Sequence, residues 1–342
     1  MKVSIVGITG YSGLELVKIL NNHKKVELVS IHATKEVGRR LSDVYPYLTD
    51  VCDLDIEAYD AEKIMKKADL VFFATPSGVA SSLAEEFVQA DFPVIDLSGD
   101  HRLPADVYQE WYKKSPAKQS ILNKFTYVLS EYTDVKDKKF IANPGCYTTC
   151  SILTAYPLAK EGLIDMDTLI IDAKSGTSGA GRGAKVPNLY CEVNENIKAY
   201  GVATHRHTPE IEDQLGYACG QEVLINFTPH LIPMNRGILV TAYASLKKEV
   251  SYEEVRAAYD KYYADETFIR VLDKDVCPQT KCVEGSNYVD VNFKIDPRTK
   301  RVIMMGAMDN LVKGAAGQAV QNMNLLFGLP ETEGLLMPPV FP

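Results

Sequence analysis

At 342 residues, with 46% hydrophobic and 24% charged side chains, the chain has the makeup of a soluble globular protein and more length than one compact unit needs, so two domains are expected. A formal net charge of −8 excludes a general grip on nucleic acid, which needs a basic face, although a local basic pocket for a small anion stays open. No run of about 18 apolar residues marks a membrane span, and the opening MKVSIVGITG starts a strand at once with no room for a signal or transit peptide. No membrane partner and a cytoplasmic location are expected.

The pattern then alternates. Residues 3–8 read as a buried strand, followed by a glycine-rich turn, an amphipathic helix over 14–21 and a second strand over 26–31. That is a βαβ unit of about 30 residues, the length of a right-handed crossover. ADLVFFATPSG is strand then turn, VASSLAEEFVQA helix, and FPVIDLSGDHR strand then loop. The alternation predicts α/β architecture, a Rossmann-like doubly wound parallel sheet over residues 1–145.

Near Asn143 the pattern changes. A helix from about Tyr147 is followed by longer, partly polar strands, which predict an α+β domain with a mostly antiparallel sheet over 146–312. VSYEEVRAAYDKYYAD is a helix with a Ser251/Glu254 capping box. The last helix, 313–326, is expected to return with the rest of 313–342 to the first domain.

Gly7, Gly10 and Gly13 stand between the first strand and first helix, where backbone amides can meet a pyrophosphate. Their G-x-x-G-x-x-G spacing differs from the dinucleotide fingerprint and resembles a packing turn; the position within a βαβ unit is what points to a nucleotide. No carboxylate ends the second strand to bind a ribose 2′-hydroxyl. Thr34, Lys35, Arg39 and Arg40 suit a 2′-phosphate instead, so NADP is expected, the alternative being a solvated basic loop.

Seven cysteines, at 52, 146, 150, 191, 219, 277 and 282, are odd in number and irregular in spacing, unlike a disulfide framework. None has His or Cys partners at zinc spacing, so no metal is expected. Cys146 stands apart, because the run Asn143-Pro144-Gly145-Cys146 puts it where a loop enters a helix. Amides and helix dipole there favour a nucleophilic thiolate, though such cysteines are also structural.

His205 and His207, at i and i+2, fall on one side of an extended segment, with Thr208 as cap and Pro209 as first position of the next helix. They suit an acid/base role or, otherwise, a solvated loop. Arg102, after a strand end, can clamp a carboxylate with Asp100 positioning it, or the two form a surface ion pair. The amides, hydroxyls and Arg182 of residues 175–183 form either an anion cradle or a flexible loop.

Together these motifs resemble the N-acetyl-gamma-glutamyl-phosphate reductases, arginine-pathway relatives of aspartate-semialdehyde dehydrogenase. The resemblance runs nearly end to end, through GITGYSGLEL, ATPSG, DLSGDHRL, NPGCY, SGTSGAGR, HRHTPEI and MDNLVKGAAGQAVQN. It implies that Cys146 attacks a small-molecule acyl phosphate, expels inorganic phosphate and forms a thioester, which NADPH reduces to an aldehyde. His207 would move protons, with His205 nearer the substrate, and Arg102, Ser175, Arg182 and Glu210 would hold the substrate. Gly7, Thr9, Gly10, Tyr11, Ser12, Gly13, Thr34, Arg39, Thr75, Pro76, Ser77 and Asn310 would lie along the cofactor, with Gly179 and Gly181 at its nicotinamide end. A homodimer or homotetramer is expected. One departure is Thr148, where the family commonly has proline; the amides at the helix start remain.

Two alternatives keep the chemistry and change the substrate to aspartyl phosphate or a carrier-linked aminoadipyl phosphate; HRHTPEI favours the acetylglutamyl compound over aspartyl. An alternative of another class is a non-catalytic NADP-binding redox sensor on Cys146, which would need neither Arg102 nor the histidine pair.

Overall fold

The first apolar run forms β1 (Lys2–Val6), buried from Val3 onward because helices cover both faces of a parallel sheet. In this computed structural model, which describes residues 1–341, Met1–Gly145 and Ala315–Met337 form one unit. After β1 come α1 (Tyr11–Asn21), β2 (Glu27–His32), α2 (Leu41–Val44), β3 (Ile56–Glu57), α3 (Ala61–Lys67), β4 (Leu70–Phe73) and α4 (Ala80–Gln89). Then follow β5 (Val94–Asp96), α5 (Ala105–Tyr112), α6 (Gln119–Leu122), β6 (Thr126–Tyr127) and β7 (Phe140–Ala142). The strand order β3-β2-β1-β4-β5-β7-β6 is parallel throughout, and it reverses direction beside β1, where the glycine turn leaves the sheet. Open α/β sheets bind ligands at such a switch point.

The second unit opens with α7 (Cys146–Lys160), followed by β8 (Ile164–Ser175), α8 (Tyr190–Val193), β9 (Lys198–Ala199), α9 (Thr208–Cys219) and β10 (Asn226–Leu231). It continues with β11 (Ile238–Leu246), α10 (Tyr252–Tyr263), β12 (Ile269–Val271), β13 (Val289–Asp296) and β14 (Arg301–Met308). Its sheet runs β12-β13-β14-β11-β8-β10-β9; β8/β10 and β12/β13 are parallel and the other pairs antiparallel. Along β11, buried and half-buried residues alternate, the period of a strand packed on one face. α7 lies against that face with every residue from Tyr147 to Ala159 buried.

A π-helical turn, Val312–Ala316, leads into α11 (Gly317–Leu326), which packs on α1 within the first unit. Several expectations shift. α1 begins at Tyr11, not residue 14, because its first turn is built from the glycine turn itself. The segment grouped with the first unit is Ala315–Met337 rather than 313–342; residues 338–341 go with the second unit, where the Val340 amide donates to Glu284 O at 2.8 Å. Among the described residues no helix is long and apolar enough to cross a membrane, and no group of three or more His, Cys, Asp or Glu could hold a metal ion.

Candidate active site

The three glycines of the first turn do different work. A Cβ on Gly7 (φ +99°) would meet Ala74 O at 2.4 Å, and one on Gly13 would meet Gly7 O at 2.6 Å, so both are needed for packing. Gly10 is not: its Cβ would come no closer than 3.5 Å to any atom, and its φ is −83°. α1 starts here with no capping side chain and no acid in its first turn. Half-buried Ser12 and exposed Tyr11 follow, and Thr9 O accepts the Tyr45 hydroxyl. Beside this turn, after β4, the buried Thr75 Oγ1 has no hydrogen-bond partner among the described residues. An orphaned hydroxyl, an uncapped helix start and a glycine whose freedom the fold leaves unused suit a phosphate-bearing ligand. In the loop after β2, Thr34 is exposed and Arg39 pairs with Glu36 at 2.6 Å.

The ATPSG and SGDHR motifs are tied together by an unforeseen bond set. Asp100, fully buried, accepts from the Gly78 amide at 2.7 and 2.8 Å, the Ser81 amide at 3.0 Å and the Tyr108 hydroxyl at 2.7 Å. It therefore holds the turn carrying Pro76 and Ser77 and makes no pair with Arg102. The guanidinium donates instead to backbone, Nε to Asn143 O and Nη2 to Leu97 O, both at 2.7 Å. Buried Asp96 braces the same loop through His101 Nδ1 at 2.6 Å and Ser98.

In the second unit, Cys146 is half-buried at the first position of α7. Cys150, one turn on, is fully buried and its thiol is pushed up by that burial, which makes it inert. The Tyr147 ring packs on both histidines, 5.6 Å from His205 and 6.1 Å from His207, whose rings are 4.9 Å apart. Its hydroxyl donates to His230 O at 3.1 Å and receives the Tyr200 hydroxyl at 3.2 Å. Burial raises both phenols, Tyr200 to about 12. Burial, and then the Arg206 charge, lower His205 to about 4. The segment before α9 is turned rather than extended, and His207, not Thr208, occupies the cap position. Thr208 Oγ1 has no hydrogen-bond partner among the described residues, and Glu210 is buried in the first turn of α9.

Five amides of the 175–183 loop are taken by protein carbonyls. The Gly176, Thr177 and Ser178 amides donate to Gly237, Met234 and Asn235 carbonyls at 2.9–3.1 Å, and those of Gly179 and Gly181 turn inward on the loop. Ser175 is buried, whereas Gly179, Gly181 and Arg182 are exposed. Asn310 pins the loop, its amide donating to Ser178 Oγ at 2.9 Å and accepting the Gly237 amide at 2.7 Å.

Residues 2–137 match the family model described as semialdehyde dehydrogenase, NAD binding domain, and residues 146–310 the one described as semialdehyde dehydrogenase, dimerisation domain. The chain belongs to the semialdehyde dehydrogenase family. Its first unit is that family's nicotinamide-cofactor domain. Similar proteins include the N-acetyl-gamma-glutamyl-phosphate reductases of Streptococcus thermophilus strain CNRZ 1066 (62% identical over 341 residues) and Lachnospira eligens (58% over 347), each match covering 100% of both chains. The one from Campylobacter jejuni is 51% identical and covers 98% of each chain.

Solved semialdehyde dehydrogenases share the fold. Aspartate semialdehyde dehydrogenase II of Vibrio cholerae superposes with a TM-score of 0.74 at 16% identity, covering 96% of this chain and 98% of that one. The Candida albicans enzyme with NADP gives 0.73 at 19%, covering 95% and 98%. Sequence reasoning gave no role to Tyr200, Asp96, His101 or Gly314, which packs on Cys146, although Asp96 and His101 lie within DLSGDHRL and Gly314 within MDNLVKGAAGQAVQN.

Proposed function

We propose that the chain is an NADPH-dependent N-acetyl-gamma-glutamyl-phosphate reductase of arginine biosynthesis that works through a thioester on Cys146. The observation that carries this is Cys146 at the start of a buried helix, with the neighbouring Tyr147 ring packed on both His205 and His207. The Cys146 thiolate forms a bond to the acyl carbon, the bond from that carbon to the phosphate oxygen breaks, and phosphate leaves. Bound NADPH supplies the hydride that reduces the thioester and is oxidised to NADP⁺. The carbon–sulfur bond then breaks, sulfur keeps its electron pair, and the aldehyde departs. One proton is consumed overall, and His207 delivers it, with His205 nearer the substrate.

Arg102 is the partner for a substrate carboxylate, its guanidinium oriented by the two backbone carbonyls, and Ser175, Arg182 and Glu210 complete the substrate set. Gly7, Thr9, Gly10, Tyr11, Ser12, Gly13, Thr75, Pro76 and Ser77 hold the dinucleotide, supported by the unused freedom at Gly10 and the orphaned Thr75 hydroxyl. Thr34 and Arg39 receive the 2′-phosphate, and Glu36, the carboxylate of that loop, is already paired. Gly179, Gly181 and Asn310 belong at the nicotinamide end. The half-exposed sheet face around Ile170, Leu239, Thr241 and Tyr243 supports a homodimer or homotetramer. Among the described residues no cysteine is in a disulfide, which supports a cytoplasmic location.

The test runs the reaction backwards, with N-acetylglutamate semialdehyde, phosphate and NADP, and aspartate semialdehyde as competitor. Cys146→Ser is expected to lose at least about a thousandfold in turnover while NADP still binds. Substantial reduction of NADP by that variant, or a preference for aspartate semialdehyde, rejects the reading.

A further inference from the structure

We infer that His205 acts as a neutral imidazole protonated on Nε2, a fixed hydrogen-bond donor to the substrate's acyl oxygen, and that proton transfer falls to His207 alone. This rests on the reading of the site given above and assigns the two histidines different roles.

The backbone amide of His207 donates to His205 Nδ1 at 3.2 Å. A ring nitrogen that accepts an N–H carries no proton, so the neutral ring holds its proton on Nε2. Nε2 itself has no hydrogen-bond partner among the described residues, which leaves it as a donor with nothing else to serve. A half-turn of the ring would put Cδ2 in the place of Nδ1 and lose that bond, and four rings pack around the imidazole. Their centroids stand 5.6 Å (Tyr147), 5.4 Å (Tyr200), 5.5 Å (Phe227) and 4.9 Å (His207) away, all at steep angles. The Tyr200–Tyr147–His230 hydrogen-bond chain fixes two of the walls. Gly201 (φ +56°) closes the turn over the ring, its position 3.3 Å from His205 Cβ and Cδ2 by an added Cβ.

The groups facing the ring do not favour a positive charge. They are two raised phenols, His207 and the Arg206 cation next in the chain; burial first, and then the Arg206 charge, lowers the ring's affinity for protons. A base needs a vacant, accessible lone pair, and the one lone pair of this ring is occupied by an amide. A neutral donor held rigid suits the charge that develops on the acyl oxygen when sulfur attacks.

Long-range nitrogen–proton NMR spectra of the full-length, ligand-free protein labelled with ¹⁵N-histidine test the assignment directly, with His205→Gln locating the signal. The His205 ring is expected to keep the Nε2–H pattern from about pH 8 to about pH 5, across the range where an ordinary histidine gains its second proton. An Nδ1–H pattern, or an imidazolium in that range, overturns the inference. Kinetics give a second reading, because a glutamine amide can stand in for Nε2–H and leucine cannot. His205→Gln should lose about tenfold in kcat and His205→Leu at least about a hundredfold, both keeping the limb of the pH profile that His207→Gln removes. Equal losses in the two variants, with that limb gone, would make His205 the base. If Cys146→Ser stays active the parent reading fails, and the NMR result still decides the tautomer.

Discussion

A methyl group on Gly314 would lie 2.8 Å from Cβ of Cys146 and 3.2 Å from its Cα. The widened turn that carries Gly314, whose amide donates to Asp309 O at 3.0 Å five residues back, is therefore pressed against the backbone that presents the thiol. Asp309 cannot yield easily, since it is fully buried and accepts from Arg236 at 2.9 and 3.2 Å and from the Gly285 amide at 2.7 Å.

Gly314→Ala is accordingly expected to move Cys146. A displacement of about 1 Å at a nucleophile costs on the order of a hundredfold in rate. Alkylation of Cys146 by iodoacetamide and kcat should fall together, with about 1–3 kcal/mol lost in stability. The same methyl would also touch the tip of Met308, at 3.0 Å, so Gly314→Ala with Met308→Ala is the control. Recovery of activity in the double variant would show that Met308, not Cys146, takes the strain.

Gly10→Ala separates binding from folding. No protein atom comes within 3.5 Å of the added carbon, so thermal unfolding should be unchanged. A phosphate approaching the turn would meet it, and the KM for NADPH should rise about tenfold or more. Gly7→Ala, aimed at Ala74 O with a positive φ, should instead fail to fold. An unaltered KM in Gly10→Ala would remove that residue from the cofactor site.

Stability should fall as the solution is acidified below about pH 6.5, and the sign follows from the lowered His205 and His32 affinities. Below that pH the unfolded chain takes up protons that the folded one refuses, so unfolding is favoured until His205 itself titrates at about 4. Denaturant midpoints measured across this window should slope upward with pH. The slope should be shallower in His205→Gln, and an unchanged slope would count against the neutral ring.

Asp100→Ala leaves the Gly78 and Ser81 amides and the Tyr108 hydroxyl without their acceptor. A loss of about 3 kcal/mol is expected by denaturation, with Asp100→Asn milder because its amide oxygen still accepts. The turn bearing Thr75, Pro76 and Ser77 loosens with it, so NADPH binding should weaken in both. A variant as stable as the parent would mean that water replaces the carboxylate.

By itself the sequence determined the layers and the chemistry at hand: the α/β alternation, the glycine turn after β1, the thiol at the head of α7 and the paired histidines. Each is written in a local period or a short run, since burial of one face or both repeats every two or every 3.6 residues. Tertiary structure alone decided what each group does with its hydrogen bonds. Arg102 turned to Asn143, Asp100 to Gly78, and the amides of 176–178 to the 234–237 turn, all partners distant in the chain. The clearest case is α11, whose polar Gln318, Gln321, Asn322 and Asn324 are buried, with Asn322 reaching Val128 O at 3.1 Å and Asn143 Oδ1 at 3.0 Å. Polar side chains enter a core only when folding supplies their partners, and no pattern along the chain encodes a partner nearly two hundred residues away.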